Sequence, residues 1–564
     1  MTDADICIIG SGAGAGPVAR QLAQAGYSVV VLEKGPHFTQ QDYYKDELAC
    51  CRRSVYTPTL RDERHVIEDY DGKDAAGHYK WSRTSTAESG WDFWNGNVVG
   101  GSSNFMSGYF YRLKPQDFRL VSEFGPIAGA NLTDWPISYD ELEPYYTMVE
   151  HIVGISGRVQ PHPFAEPRST PDFPFGPTRE HVVAGLVDDA CNKLQFHALR
   201  TPRAILPSAI SAQRRGCEYS GFCGSYGCAS GAKGSSREAL LNDAVHSGHC
   251  RILAKSKVNR LISDNSGKVT AAEYVDVHGV THNLSARIFV VACQAVETSR
   301  LLLLSTGPKH PQGLGNNHGQ VGKNLVFSAG GSGYGDFVYH DLDPKLVQQL
   351  KVRGPFVNRG LQDWYFIDDA QFGPRAKGGT IDFLLRHPNA INRAIQLKWD
   401  DKEKLVWGSA LKQKLKHEFT DALSIRYEVF CDWLPTDDCF VALDSTVKDK
   451  WGVPVAKIRI GYHDHDIKVG QYLSDKAKQV LAAMETKNIR GGVNGSPPQN
   501  LQAGGCRFGK DPASSVLDPE CRIHDAPNVF VSDGSWMPSG GSVPYTWTIY
   551  ANAFRVADSI KRQL

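Results

Sequence analysis

The chain has 564 residues, a formal net charge of +1 and 41% hydrophobic residues. This length allows two domains or one large core with insertions, and the near-neutral charge without a basic run excludes a nucleic-acid partner. No apolar stretch reaches the roughly 18 residues that a membrane span requires, so we expect no direct membrane span.

The first predicted elements, within residues 5–35, form a βαβ unit of the kind that binds a dinucleotide. A short apolar strand leads into a G-x-G-x-x-A loop, a helix and a second apolar strand that ends at Glu33. In such a loop Gly10 permits the tight turn, Gly12 lets the backbone approach a pyrophosphate, and Ala15 lets the helix pack on the strand. The helix N-terminus stabilises phosphate charge, and Glu33 can accept hydrogen bonds from a ribose. The loop alone does not distinguish FAD from NAD.

The remaining elements predict a nucleotide-binding domain followed by a separate lobe. They are loops over 36–90, a second glycine-rich loop over 91–112, a cysteine group within 215–240, α/β character over 250–305, an antiparallel sheet with one amphipathic helix over 330–490, and a strand, loop and helix over 500–564. If the last strand joins the first, the nucleotide-binding domain is discontinuous.

The cysteine group has the spacing Cys217-x5-Cys223-x4-Cys228 in a glycine-rich segment. Three thiolates this close can hold a soft metal centre. Free structural thiols, or a disulfide between Cys217 and Cys223 or between Cys223 and Cys228, are the alternatives. Cys250 is a candidate fourth ligand that the spacing does not demand, and Cys50 and Cys51 are most simply small core residues.

Four blocks resemble the glucose–methanol–choline (GMC) flavoprotein oxidoreductases, and they occur in the family's order. They are residues 10–33, 97–104, 297–302 and 525–558. The resemblance implies an α/β fold (α+β overall), with a discontinuous Rossmann-like FAD-binding domain and an antiparallel-sheet substrate-binding domain. We expect the former over 1–329 and 491–564, including the cysteine loop 215–233, and the latter over 330–490.

The resemblance also implies that the dinucleotide is FAD. The residues that it assigns to FAD are Gly10, Gly12, Ala13, Ala15, Glu33, Lys34, Gly101, Ser102, Asn104, Val258, Asp533, Gly534 and Thr546.

The cysteine loop resembles that of the flavin subunits of bacterial sugar and gluconate dehydrogenases, where three cysteines hold a 3Fe–4S cluster. Three ligands suit a three-iron cluster better than a cubane. By this resemblance, Cys217, Cys223 and Cys228 are metal ligands, and a small export subunit and a cytochrome c subunit are candidate partners. The dinucleotide motif begins four residues after Met1, which leaves no room for a secretory signal. We therefore expect either a cytoplasmic location or a periplasmic one reached by co-export.

The catalytic positions depart from the family's pattern. The family places a His before an R-x-G block and a His or Asn in the final loop. A strict count puts Leu501 at the first position, a one-residue slip puts Asn500 there, and Pro544 and Tyr545 stand at the second. Our first interpretation is that Tyr545, with Asn500 or Gln502, replaces the pair.

Two other interpretations of the departure stay open. A histidine from 330–490, such as His463 or His465, reaches the flavin, or the protein does not oxidise an ordinary alcohol. His524 is more simply a turn residue than a base. Aromatic side chains near the flavin could stack on a sugar ring or pack in the core; they are Trp91, Trp94, Trp536 and Trp547.

The sequence thus predicts an FAD-dependent dehydrogenase that oxidises a hydroxyl of a sugar, glycoside or polyol and passes electrons to a cytochrome or quinone. The first alternative is an oxidase of the same fold that uses dioxygen and keeps the cysteines as structure. The second is a catalytically altered flavoprotein with a non-alcohol substrate or an electron-transfer role.

Overall fold

The computed structural model describes residues 2–47, 65–73, 79–85, 96–373, 375–400, 402, 404–494 and 501–564. Its strands are β1 Ala4–Ile9, β2 Val29–Glu33, β3 Val66–Lys73, β4 Tyr79–Ser85, β5 Ala198–Arg200, β6 Cys250–Ala254, β7 Lys257–Ser263, β8 Val269–Val275, β9 Thr281–Val291, β10 Leu325–Ser328, β11 Ser332–Val338, β12 Arg359–Leu361, β13 Phe366–Ile367, β14 Ala376–Lys377, β15 Gly379–Leu385, β16 Ala422–Trp433, β17 Cys439–Lys448, β18 Pro454–Ile460, β19 Lys487–Gly492, β20 Gln502–Gly504, β21 Arg522–Ile523 and β22 Ala526–Val531. Its α-helices are α1 Ala15–Gln24, α2 Leu120–Phe124, α3 Tyr139–Val149, α4 Val183–Leu194, α5 Asn242–His246, α6 Ala295–Leu304, α7 Pro344–Leu350, α8 Ala390–Gln396, α9 Gly408–Lys416, α10 Asp464–Ala483 and α11 Thr546–Gln563.

A parallel sheet gathers strands from both ends and the middle of the chain. Its parallel pairs run in the order β22, β9, β1, β2 and β6, and β21 and β8 add antiparallel partners at β22 and β9. The apolar runs Ile6–Ile9 and Val29–Leu32 are fully covered, as parallel strands with helices on their faces require. The last strand pairs with β9 rather than with β1, because β9 lies between them.

The loop after β1 lies where three elements come close together, namely β1, α1 and β22. Gly10 has a φ of +91°, and a methyl group on Gly14 would lie 2.6 Å from both the Ser532 carbonyl oxygen and the Asp533 nitrogen. Only glycine fits there without moving backbone. The start of α1 is therefore held directly against the end of β22, and α1 also packs against α11.

A second sheet is antiparallel and has the order β19, β11, β16, β15, β12, β5, with β10 joining β16 to β20. Apolar side chains of α10 cover one face of it. A third sheet runs β17, β18, β3, β4, with β18 parallel to β3. The strands within 330–490 are therefore divided among three sheets, because β13 and β14 form a two-stranded sheet of their own. The two larger sheets each include strands from outside that range.

Within the described ranges, every helix is too short or too polar to traverse a lipid bilayer.

Candidate active site

A cavity of about 800 Å³ lies where the parallel sheet meets the antiparallel one. The loop between β1 and α1 and the end of β2 form one end of the cavity. The loop after residue 96 lies against this end at Gly101, and residues 426–430 of β16 form the other end. The cavity is thus a long space with a glycine-rich end and a polar end.

Glu33 sits at the glycine-rich end, at the last position of β2. Its carboxylate accepts hydrogen bonds from Ser11 Oγ at 2.5 Å and from the Gly35 nitrogen at 2.8 Å. Burial raises the pKa of this carboxyl group above its ordinary value, while these two hydrogen bonds oppose that effect. A carboxyl group held in this way is positioned to accept from ribose hydroxyls.

The cavity wall contains most of the residues expected to hold FAD. They are Gly10, Gly12, Ala13, Glu33, Lys34, Gly101, Ser102, Val258, Asp533, Gly534 and Thr546. Two expected residues lie behind the wall. Ala15 is buried in α1, and Asn104 donates to the carbonyl oxygens of Val99 and Gly101, so it shapes the loop from behind.

The two glycine-rich loops fit a pyrophosphate group. A methyl group on Gly101 would lie 2.8 Å from Gly12 Cα, so the loops touch. A methyl group on Gly12 itself would meet no atom within 4 Å, because Gly12 faces the open cavity. This open cradle at the start of a helix suits a dinucleotide phosphate.

Replacing Gly12 with alanine should weaken FAD binding by roughly 10–100-fold, because the new methyl group occupies the cradle. The measurement is the FAD content after dialysis together with a titration of the apoprotein. Gly185→Ala is the matched control, because Gly185 is exposed on α4 and its methyl group would also enter open space. A Gly12→Ala protein with unchanged affinity for FAD would contradict this placement of the pyrophosphate.

The cavity is also lined by catalytic residues expected from the sequence. Leu501, Gln502, Pro544 and Tyr545 line it, whereas Asn500 falls outside the described residues. The Tyr545 hydroxyl is buried without a hydrogen-bond partner among the described residues. Such a hydroxyl is a ready donor to a ligand oxygen.

The Tyr545 phenol is poorly suited to act as a base. Burial, and secondarily the charge of Asp432, raise its pKa well above its ordinary value. Within the described ranges no cation offsets this effect. Its chemistry at neutral pH is therefore that of a neutral hydrogen-bond donor.

His387 lines the polar end of the cavity, two residues after β15, and the sequence reasoning did not identify it. Its imidazole packs so closely on Gly224 that a methyl group there would overlap His387 Cε1. Burial lowers the pKa of His387 to about 4, so the ring is neutral at pH 7. A neutral imidazole in this wall is able to accept a proton.

The histidines suggested by the sequence have other roles. His463 begins α10 as its N-cap and hydrogen-bonds the Ala128 carbonyl oxygen at 2.9 Å. His465 is mostly buried beside the Phe372 ring, and His524 hydrogen-bonds Ser515 Oγ at 3.0 Å. None of the three belongs to the cavity wall.

Trp536 and Trp547, the two sequence-predicted tryptophans that the structure describes, do not line the cavity. Trp536 packs against Trp135 and Phe508, and Trp547 donates to the Tyr146 carbonyl oxygen. Both are buried in the core, which agrees with the packing interpretation. Trp91 and Trp94, like Cys50 and Cys51, lie outside the described residues.

A second, small cavity of about 50 Å³ is lined by Cys217, Cys223 and Cys228 together. All three are free thiols, so the disulfide alternative is wrong for this structure. Burial opposes ionisation of Cys228, but Lys233 and Ser230 bring the pKa of its thiol below the ordinary value. Cys250 is on β6 and does not line this cavity.

One loop separates the two cavities. Cys223 and Cys228 line the small cavity, and Ser225, between them in sequence, lines the large one. The Ser225 nitrogen donates to the Phe105 carbonyl oxygen at 2.8 Å, which fixes the loop on the wall of the large cavity. A group held by the cysteines would therefore be a near neighbour of a group in the large cavity.

In the described ranges, one group of potential metal ligands has all its ligand atoms within 4.8 Å of one another. It consists of His162, His197 and Asp363. At least two of the three cysteine sulfurs are therefore more than 4.8 Å apart. His197 Nδ1 is 2.7 Å from Asp363 Oδ1, and His162 Nδ1 accepts from the Phe164 nitrogen. In its neutral form His162 then carries its proton on Nε2, which disfavours a metal bond there.

Comparisons with known proteins agree with this geometry. Two family models, both described as GMC oxidoreductase, match residues 81–328 and 435–553, more than half of the chain. The 2-methyl-1,2-propanediol dehydrogenase of Mycolicibacterium austroafricanum is 29% identical over 99% of this chain and 95% of its own. The gluconate 2-dehydrogenase flavoprotein of Pantoea cypripedii is 24% identical over 99% and 94%. A formate oxidase structure from Aspergillus oryzae superposes with a TM-score of 0.62 at 16% identity over 100% and 99%, which confirms the predicted fold class.

Proposed function

The chain belongs to the GMC oxidoreductase family, whose members are FAD-dependent oxidoreductases acting on CH–OH groups, and on this premise we propose its specific reaction. We propose that it is a dehydrogenase that oxidises a hydroxyl of a sugar, glycoside or polyol. We further propose that the electrons leave through a 3Fe–4S cluster at Cys217, Cys223 and Cys228 to a cytochrome or quinone.

The side chains at the polar end of the large cavity support the proposal of a hydroxyl-rich substrate. Arg426 and Glu428 stand two residues apart on β16, face the cavity and pair at 2.9 Å. Tyr109 and His387 add two more polar groups to the same wall. Several hydroxyls of one substrate can pair with these groups, whereas an alkyl chain would leave them unsatisfied. The named substrates of the two relatives, a diol and gluconate, are of this polar kind.

We assign proton acceptance to His387. When bound, FAD supplies the hydride acceptor for the carbon that is oxidised. His387 is neutral at pH 7 and is able to take the hydroxyl proton as the carbonyl forms. To Tyr545 and Gln502, which line the same cavity, we assign hydrogen bonds that are donated to the substrate oxygen and hold it in place.

The cysteine cavity supports the electron route. Three free thiols surround it, at least two of their sulfurs are more than 4.8 Å apart, and a single loop separates it from the large cavity. One relative is named as the flavoprotein of a gluconate 2-dehydrogenase. A cluster next to the flavin would accept electrons one at a time and pass them outward.

The test of the electron route is the iron and acid-labile sulfide content of protein purified without oxygen. We expect about three irons per FAD in the wild type. Cys217→Ser and Cys228→Ser should lose most of the iron but keep FAD. Cys250→Ser should keep both, because Cys250 does not line the cavity. A wild-type protein with FAD but no iron would overturn the cluster and favour an oxidase of the same fold.

A further inference from the structure

An apolar surface without an assigned role lies on residues 390–420, which include α8 and α9. Six of the twelve large apolar side chains that are exposed in the described part of the chain belong to it: Ile391, Ile395, Trp399, Leu405, Trp407 and Phe419. No described residue from 390 to 420 is buried. Exposed apolar side chains concentrated in this way mark an interaction site.

Five of these side chains form one continuous row, which we call the apolar stripe. Ile391 and Ile395 are four residues apart on α8 and share a face, and Trp399 follows four residues later. Trp399 pairs with Leu405 across an antiparallel bridge. Trp407 is extended and two residues beyond Leu405, so both point to the same side. The tryptophans are 51% and 75% exposed, although large aromatic side chains are normally covered.

The segment is anchored at both ends although none of its described residues is buried. The Glu47 carboxylate accepts from the Ile391 and Asn392 nitrogens, each at 2.7 Å, and so caps the start of α8. Glu418 pairs with Arg386 at 2.7 Å and with Arg393 at 2.9 Å, which ties the end of the segment to its beginning. The stripe is therefore displayed on a fixed support.

The charges around the stripe indicate what covers it. Residues 390–420 contain seven basic and four acidic side chains, and six of the basic ones are lysines: Lys398, Lys402, Lys404, Lys412, Lys414 and Lys416. Protein–protein interfaces are depleted in lysine and enriched in arginine. Tryptophan and aliphatic side chains bordered by lysines are instead the composition of segments that lie in a membrane interface.

We propose that the apolar stripe and its lysines dock the protein on the surface of a bilayer that contains anionic lipid. The docking does not rest on the proposed reaction. His387, in the wall of the large cavity, is only three residues before α8, so docking would bring the polar end of that cavity close to the lipid. The cysteine loop contacts the same stretch of chain, because Gly224 packs on His387 and Tyr226 donates to Asn389. Docking would therefore also bring this loop close to the lipid, which suits delivery of electrons to a bilayer-dissolved quinone.

The test is co-sedimentation of the FAD-loaded protein with vesicles. We expect binding to phosphatidylglycerol–phosphatidylcholine vesicles, much weaker binding to pure phosphatidylcholine, and loss of binding at high salt. Trp399→Ala and Trp407→Ala should each weaken binding roughly tenfold while keeping the wild-type FAD content. Val277→Ala is the matched control, because Val277 is 61% exposed on another loop.

Three outcomes would overturn the docking. They are no binding to either vesicle, equal binding of the tryptophan variants and the wild type, and a concentration-dependent dimer in light scattering that the tryptophan variants abolish. The last would assign the stripe to a second copy of the chain. Vesicle binding without any flavin reduction by polyols would support the docking and contradict the proposed reaction. The two proposals can therefore be contradicted independently.

Discussion

Replacing His387 with glutamine is expected to slow flavin reduction by substrate by roughly 10²–10⁴-fold. His387 lines the polar end of the large cavity, and its ring packs closely on Gly224. Glutamine keeps a polar side chain but cannot accept a proton at neutral pH. The measurement is the anaerobic rate of flavin bleaching after mixing with substrate, with FAD content determined beforehand.

The matched control is His465→Gln. Burial lowers the pKa of His465 to about 4 as well, but His465 is on α10, away from the cavity wall. We expect its reduction rate to stay within about twofold of wild type. If the His387→Gln protein reduces its flavin at the wild-type rate, His387 is not the proton acceptor, and Tyr545 becomes the candidate for that role.

The pH dependence of flavin reduction follows from the same assignment. A base works in its unprotonated form, and burial holds the pKa of His387 at about 4. The rate should therefore be flat from about pH 6 upward and fall as the pH drops through about 4. In His387→Gln this acid limb should disappear. If the acid limb persists in the variant, a group other than His387 causes it.

Replacing Lys377 with methionine is expected to destabilise the protein by about 3–5 kcal/mol. Lys377 Nζ is buried, 2.6 Å from Asp117 Oδ1, and donates to Ser542 Oγ at 2.6 Å. It also lies 3.6 Å from Asp432, whose pKa is raised by burial although Lys377 opposes that effect. Methionine would leave Asp117 buried without its cation.

The measurement is the midpoint of urea unfolding followed by circular dichroism. Lys457→Met is the matched control, because Lys457 is part-exposed on β18 and its distance to Glu68 is 3.7 Å. A pair of this kind contributes at most about 1 kcal/mol. Equal shifts for the two variants would contradict the structural role of the buried lysine.

The hydrogen bonds around Lys377 also explain how the loop before α11 is held. Ser542 Oγ accepts from Lys377 and donates to the Gly378 carbonyl oxygen at 2.8 Å. Tyr545, three residues later, lines the large cavity. We therefore expect Ser542→Ala, which folds more readily than Lys377→Met, to weaken substrate binding because the loop loses its anchor.

Much of the nucleotide-binding end was predictable because its determinants are local. The loop from Gly10 to Ala15, its flanking strands and Glu33 lie within about thirty residues, and each residue type has one physical role there. The structure brings eleven of the thirteen expected FAD residues into one wall. Ala15 and Asn104 support that wall from behind, which a motif does not reveal.

The polar end was less predictable because long-range packing decides it. His387 enters the cavity wall only because the end of β15 meets the loop at Gly224, more than 160 residues earlier in the chain. Nothing in the residues around His387 indicates this contact. Likewise, β18 pairs with β3 although almost 400 residues separate them. The chemistry of Lys377 and Ser542 depends on similar contacts between distant segments.

The most direct test of the proposed function is an anaerobic titration of the purified, FAD-loaded protein with a panel of sugars, glycosides and polyols. Flavin bleaching by at least one of them, accompanied by the paramagnetic resonance change of an iron–sulfur cluster, is the predicted result. If no member of the panel bleaches the flavin in a protein that dithionite reduces normally, the chain is not a dehydrogenase of hydroxyl-rich substrates.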